Sequence, residues 1–266
     1  VALTAALAAG LDPVLAPPPL PMTRRAVAGA ARALRVCALL SPAQFCGLDL
    51  GDAVRAIARE TASIKMIGAL HGALDDAADL TPETLARHAA PIVRLSDEWN
   101  ADERAQIGAL NEVGAIDFAS QGALLAAALD LVRATRAGGE APILSLMPPN
   151  SLGALIAGPL AALMAGAPLH YLAPFSSSRF VETLDALGPS RLVAPAVILP
   201  DLARAGLLSN GALISVTALS SGATPAPRMD AEGLCPIVEL RVDGGVASLR
   251  GGARATEDAF ADAQAF

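Results

Sequence analysis

Cysteine is scarce in this chain of 266 residues, and an excess of positive charge is missing altogether. The three cysteines, Cys37, Cys46 and Cys235, form no C-x-x-C pair, and their odd number makes a poor disulfide framework. A reducing, cytoplasmic setting is the expectation. Nineteen Lys and Arg stand against 26 Asp and Glu, and the net charge of −7 argues against nucleic-acid binding by phosphate neutralisation. No basic segment precedes the apolar opening at residues 1–10, so a secretory signal is not expected. The sequence also opens without Met, inside an apolar helix pattern, which leads us to expect further residues ahead of Val1. G-x-S-x-G, Walker A and His-Glu-x-x-His patterns are absent, leaving hydrolase, nucleoside-triphosphatase and zinc-protease chemistry without a foothold.

Apolar residues are plentiful at 53%, with mean hydropathy +0.49, but alanine supplies much of this and adds little transfer energy per residue. Residues 141–178 carry no charge. Pro148, Pro149, Pro159, Pro168 and Pro174 are expected to cut them into pieces shorter than a bilayer span. We read a buried helix and strand there and expect no membrane span.

The chain contains an internal repeat. Residues 5–18 and 161–174 both run from an alanine-rich helix pattern through Gly10 or Gly166 into a short apolar segment ending at proline. Each copy continues with an Arg-containing helix pattern, at 24–34 and 178–187. Each then reaches an apolar run ending in proline, at 38–42 and 192–195. Helix, glycine stop, buried strand, helix and buried strand predict parallel sheets covered by helices. Only glycine takes the left-handed helix-stop conformation without strain. The runs 13–16 and 168–173 lack alternation, as strands buried on both faces do. The polar stretch 71–111 reads as loops and linker, with a short helix from Thr81 to His88. Strands are predicted at 115–118, 143–147 and 212–219, and a helix at 121–136. The expected fold class is α/β, with two related α/β subdomains. The first, with its linker, covers 1–110 and the second 111–225. A C-terminal hairpin or loop and short helix cover 226–266.

Several polar residues invite chemistry. His71 and Asp76 have the His-x4-Asp spacing in which an acid orients a general base, but the flanking glycine and acids favour a solvated loop. His88 is expected on an exposed polar helix. For His170, beside Tyr171, a core position and a pocket-lining one both stand. Cys37 and Cys46 flank a turn without a nearby base and read as inert thiols.

Residues 144–155 and 159–169 resemble the segment of adenylate-forming enzymes in which a strand ends in a proline loop and a helix leads to a second strand. Phe175 to Ala196 is similar to the helix and strand that come next in that family, and Leu219-Ser-Ser-Gly-Ala-Thr-Pro225 resembles its Gly-Gly-Ala-Pro loop. The resemblance implies carboxylate activation by adenylation, as in an acyl-CoA synthetase, with ATP and Mg as cofactors and a small carboxylic acid or acyl group as substrate. It marks Ser120, Ser221, Gly222 and Ala223 as cofactor-binding positions, and Asn150 and Ser151 as bordering the substrate pocket. A homo-oligomer is left open.

Departures from the family run beside the likeness. Its Ser/Thr/Gly-rich phosphate loop ending in Pro-Lys has no counterpart, since only Ala119-Ser-Gln-Gly122 comes after the strand at 115–118. Where Tyr-Gly-x-Thr-Glu is expected stands Val238-Glu-Leu-Arg-Val-Asp-Gly-Gly245, in which Asp243 reads as a turn residue rather than a metal ligand. Asn150 occupies a position where the family usually carries histidine or an aromatic. No catalytic residue is assigned. A non-catalytic binding or scaffold homologue is the alternative.

Overall fold

The computed structural model describes residues 2–8, 11–70, 72, 74, 77–79, 106–209, 211–222 and 234–251. They fall into two compact units, 1–100 with 110–116, and 101–109 with 117–266.

The first unit begins with α1 (Ala2–Ala8), β1 (Val14–Leu15), α2 (Arg24–Ala33) and β2 (Ala38–Pro42). A hairpin of β3 (Gln44–Phe45) and β4 (Leu48–Asp49) leads into α3 (Gly51–Glu60), followed by β5 (Met66–Leu70) and β6 (Ala78–Asp79). Strands β2, β5 and β6 lie side by side and parallel. Val27, Ala28 and Ala31 recur at helical spacing, so α2 buries one stripe against Ile57 of α3 and Leu110. Cys37 and Cys46 both stand at the surface.

Thr61 closes α3 with only 2% of its surface exposed, and its hydroxyl has no hydrogen-bond partner. A buried unpaired hydroxyl costs ~1–3 kcal/mol, and the extended backbone at Thr61 suits another β-branched residue. We predict that Thr61→Val raises stability by ~1 kcal/mol, lifting Tm by about 3 °C in a thermal melt. A lower Tm would contradict it.

The second unit opens at a hairpin of β7 (Gln106–Leu110) and β8 (Ile116–Ser120), through which the unit boundary passes. Helix α4 (Gln121–Thr135) follows, then β9 (Ile143–Ser145). Next come α5 (Leu152–Leu155), a π-helical turn (Ile156–Leu160), α6 (Ala161–Ala165) and β10 (Leu169–Tyr171). The rest is α7 (Ser177–Leu187), β11 (Ser190–Pro195), a short 3-10 turn (Ala196–Ile198), α8 (Leu199–Arg204), β12 (Leu213–Ser221), β13 (Ile237–Asp243) and β14 (Val246–Gly251). One six-stranded sheet takes the order β10-β9-β11-β12-β13-β14, and every pairing is parallel except β13 with β14. Leu144, Leu192, Ala194, Val216 and Ala218 of its strands pack on Phe180 and Leu184 of α7 and Leu199 and Leu202 of α8. Mainly parallel sheets with helical cover are the α/β class expected from the repeat.

Helix α4 starts at Ser120, whose Oγ accepts from the Ala123 N–H at 3.1 Å, and ends at Arg136 in the left-handed conformation. Arg191 of β11, only 8% exposed, donates to the carbonyls of Thr135 at 2.8 Å and Arg136 at 2.9 Å, and to Ser215 Oγ at 3.3 Å. A buried guanidinium thus caps the negative end of the helix.

Four expectations need correction. Pro159 does not break the segment 152–165. The helix continues through the π turn, whose wider hydrogen-bond spacing accommodates a residue without an N–H. Strand β10 lies at the edge of the sheet with His170 and Tyr171 exposed, so it is not buried on both faces, and His170 is not a core residue. Residues 106–110, read as linker, form β7, four of whose five residues are buried. The repeat holds in element order, and Gly166 stops α6 at φ +64°, but β1 and β2 belong to different sheets whereas β10 and β11 share one. Gly10, Thr81 to His88, His71 and Asp76 lie outside the described residues.

Candidate functional site

In an open parallel sheet, ligands bind beyond the carboxyl ends of the strands, where successive connections leave in opposite directions and open a crevice. That point here lies between β9 and β11. The chain leaves β9 for β10 on one side, then returns past β9 to β11 on the other.

The loop leaving β9 is tightly held. Ser145 is fully buried, and its Oγ donates to the Met147 carbonyl at 2.9 Å and accepts from the Met147 N–H at 3.3 Å. The half-buried Asn150 donates its N–H to the Pro148 carbonyl at 2.8 Å. Ser151 then caps α5, its Oγ accepting from the Ala154 N–H at 3.2 Å. The first turn of that helix packs on the ends of two further strands. A side chain added at Gly153 would meet Val242 at 3.6 Å and Leu219 at 3.8 Å.

Strand β12 ends in Ser221, which is half-buried, with the exposed Gly222 beyond it. A side chain at Gly222 would come within 2.9 Å of the Asp243 carboxylate at the end of β13. The turn after β13 holds Gly244 and Gly245 at φ +56° and +81°, and Gly245 lies directly against the Phe118 carbonyl of β8. Ser120 follows Phe118 by two residues and opens α4. Through these contacts Ser120, Asn150, Ser151, Ser221 and Gly222 fall along one margin of the second unit. Ala223 lies outside the described residues. Ser120 and Ser151 both spend an oxygen lone pair on capping and keep their hydroxyl hydrogens as donors.

Between Phe118 and Gln121 there is no loop: Ala119 and Ser120 finish β8, and Gln121 and Gly122 begin α4. The connection between β7 and β8 is a tight turn in which Asn111 Oδ1 accepts from the Val113 N–H at 3.2 Å and the Ala115 N–H at 2.9 Å. Two of its amides are thereby engaged by a side chain of the same turn.

Asp243 is 65% exposed, pairs with Arg241 at 3.3 Å, and precedes the glycine turn. No group of three or more metal-ligating side chains occurs among the described residues. Glu239 was not singled out in the sequence. It stands half-buried on β13 and accepts a hydrogen bond from Ser220 at 2.5 Å. Ser145 was also missed, since nothing in Ile143-Leu-Ser-Leu-Met147 distinguishes a loop-holding serine from a strand residue. No helix among the described residues is long and apolar enough to cross a membrane.

The fold is that of the N-terminal domains of adenylate-forming ligases, a mixed α/β architecture with helices and parallel sheets. Acyl-CoA synthetase of Brucella canis aligns with TM-score 0.67 at 12% identity over 94% of this chain and 46% of that one. MbtA of Mycobacterium smegmatis gives TM-score 0.67 at 15% identity over 94% and 46%, and coronafacic acid ligase of Pectobacterium brasiliense 0.64 at 15% over 91% and 48%. The chain spans about half the length of these structures. No family model and no curated protein matches the sequence.

Proposed function

We propose that this chain is an acyl-CoA-synthetase-like homologue that holds a small carboxylic acid or acyl group, with or without an adenylate, at the carboxyl margin of the six-stranded sheet. Asn150 and Ser151 border the acyl side, while Ser120, Ser221 and Gly222 border the nucleotide side. The observation that carries this reading is the loop pinned by Ser145 at the crevice between β9 and β11, in a fold shared with ligases of carboxylic acids.

The described residues do not fit the triphosphate and Mg of a full adenylation site. β8 runs straight into α4 at Ser120 and Gln121 with no loop to hold phosphates, and no group of three or more metal-ligating side chains occurs among the described residues. The missing loop at residues 119–122 favours a second reading, a binding homologue that retains the crevice without transferring a nucleotide.

Thermal melts with a panel of non-hydrolysable acyl-sulfamoyl adenosines, together with an acid-dependent pyrophosphate assay, test both. A ligand present at 100 times its Kd adds ~2.7 kcal/mol, and we expect Tm to rise by about 5–10 °C. A shift without pyrophosphate selects the binding homologue, and pyrophosphate release selects the ligase. No shift with any analogue, and no pyrophosphate, removes both readings.

A further inference from the structure

Helix α2 and the two residues after it carry four arginines and no acid, on a chain of net charge −7. Between residues 24 and 35 stand Arg24, Arg25, Arg32 and Arg35, and no acid. All four are exposed, and no ion pair to any of them occurs among the described residues. Arg24 and Arg25 occupy the first turn, where the helix dipole is already positive and no acidic residue offsets it. Neighbouring α3, by contrast, has Asp52 in its first turn, paired with Arg55 at 2.8 Å. The arrangement on α2 costs folding energy that one acidic residue would have recovered.

The surface between the arginines is nearly flat. Ala26 and Ala33 are exposed, and a side chain added at Gly29 would meet nothing within 4 Å. Arg25 and Arg32, two helical turns apart, stand on the same side of this flat strip. Small side chains let a second helix approach to within about 8–10 Å of the axis, which brings its side chains within reach of both guanidinium groups.

We propose that the outer face of α2 is a docking surface for a carboxylate-rich helix of a partner protein. A membrane is a poorer occupant. Insertion needs an apolar helix face turned outward, and the apolar stripe of α2, Val27, Ala28 and Ala31, is buried in the core of its own unit. A nucleic acid is poorer too, because its long row of phosphates meets the negative remainder of the chain beyond this ten-residue helix.

The test uses the full chain and a fluorescein-labelled, glutamate-rich helical peptide, read by anisotropy at low and at physiological salt. The chain binds the peptide at low salt and less tightly as salt rises. Arg25→Glu combined with Arg32→Glu weakens binding by about tenfold, since two attractions become repulsions. Arg133→Glu, on the exposed side of α4, changes it less than twofold. Circular dichroism and Tm confirm that each variant is folded. The proposal is overturned if the peptide does not bind at low salt, or if Arg133→Glu costs as much as the α2 pair. It is equally overturned if phosphatidylserine vesicles or single-stranded DNA bind more tightly than the peptide through the same arginines.

Discussion

Gly245→Ala is expected to be the most damaging single-methyl substitution among the glycines described. The turn from β13 to β14 holds Gly244 and Gly245 at positive φ, the conformation of a tight hairpin in which both central residues are left-handed. That alone costs an alanine only ~1 kcal/mol. The decisive effect is steric. An ideally placed side-chain carbon at Gly245 would overlap the carbonyl oxygen of Phe118, a backbone atom that cannot swing aside. Either β8 moves away from the hairpin or the hairpin opens. We expect a loss of more than ~4 kcal/mol, seen as insoluble protein or a Tm lowered by at least about 10 °C. Gly244→Asn separates the two effects. Nothing stands within 4 Å of that position and asparagine tolerates positive φ, so its Tm should stay within about 3 °C of the parent. If Gly245→Ala melts within about 3 °C of the parent, the close approach to Phe118 is wrong.

Arg191 should produce the second largest effect. Its side chain donates to two terminal carbonyls of α4 from a nearly dry position, and those carbonyls have no helical partner of their own. Glu140, at 3.5 Å, is 71% exposed and adds little. The lost charge-assisted hydrogen bonds are worth ~1.5–3 kcal/mol each before relaxation, while removing the unpaired Nε recovers part of this. Arg191→Met is therefore expected to cost ~3 kcal/mol, lowering Tm by about 6–12 °C. Arg191→Lys should fall between, because an ammonium reaches one carbonyl where the guanidinium spans two. Glu140→Gln should shift Tm by less than about 3 °C. A Met variant as stable as the parent would show that the capping contributes nothing net.

The alternation of helix and strand was legible because each signal was local. Gly166 stops α6 as a left-handed glycine should, Ser120 opens α4, and the apolar run 192–195 is the heart of β11. What failed depended on distant neighbours. Gln106-Ile-Gly-Ala-Leu110 has little intrinsic strand preference and becomes one by pairing. Leu169-His-Tyr171 reads as apolar, yet its exposure comes from lying last in the sheet, which no local pattern encodes. At the candidate site, Asn150, Ser151, Ser221 and Gly222 were marked only by the family resemblance, carried by the proline loop after residue 147 and by the Ser-Gly-Ala stretch. Ser145 and Glu239 were not marked, because their partners Met147 and Ser220 become partners only through the fold.

The two margins of the six-stranded sheet are unequal. β10 is three residues long and bracketed by Pro168 and Pro174, so it offers an incoming strand almost no ladder to join. β14 has six residues, Val246–Gly251, none of them proline, and no further strand flanks it among the described residues. Among the described residues, lateral growth of this sheet, by a second chain or by misassembly, accordingly has one direction open to it.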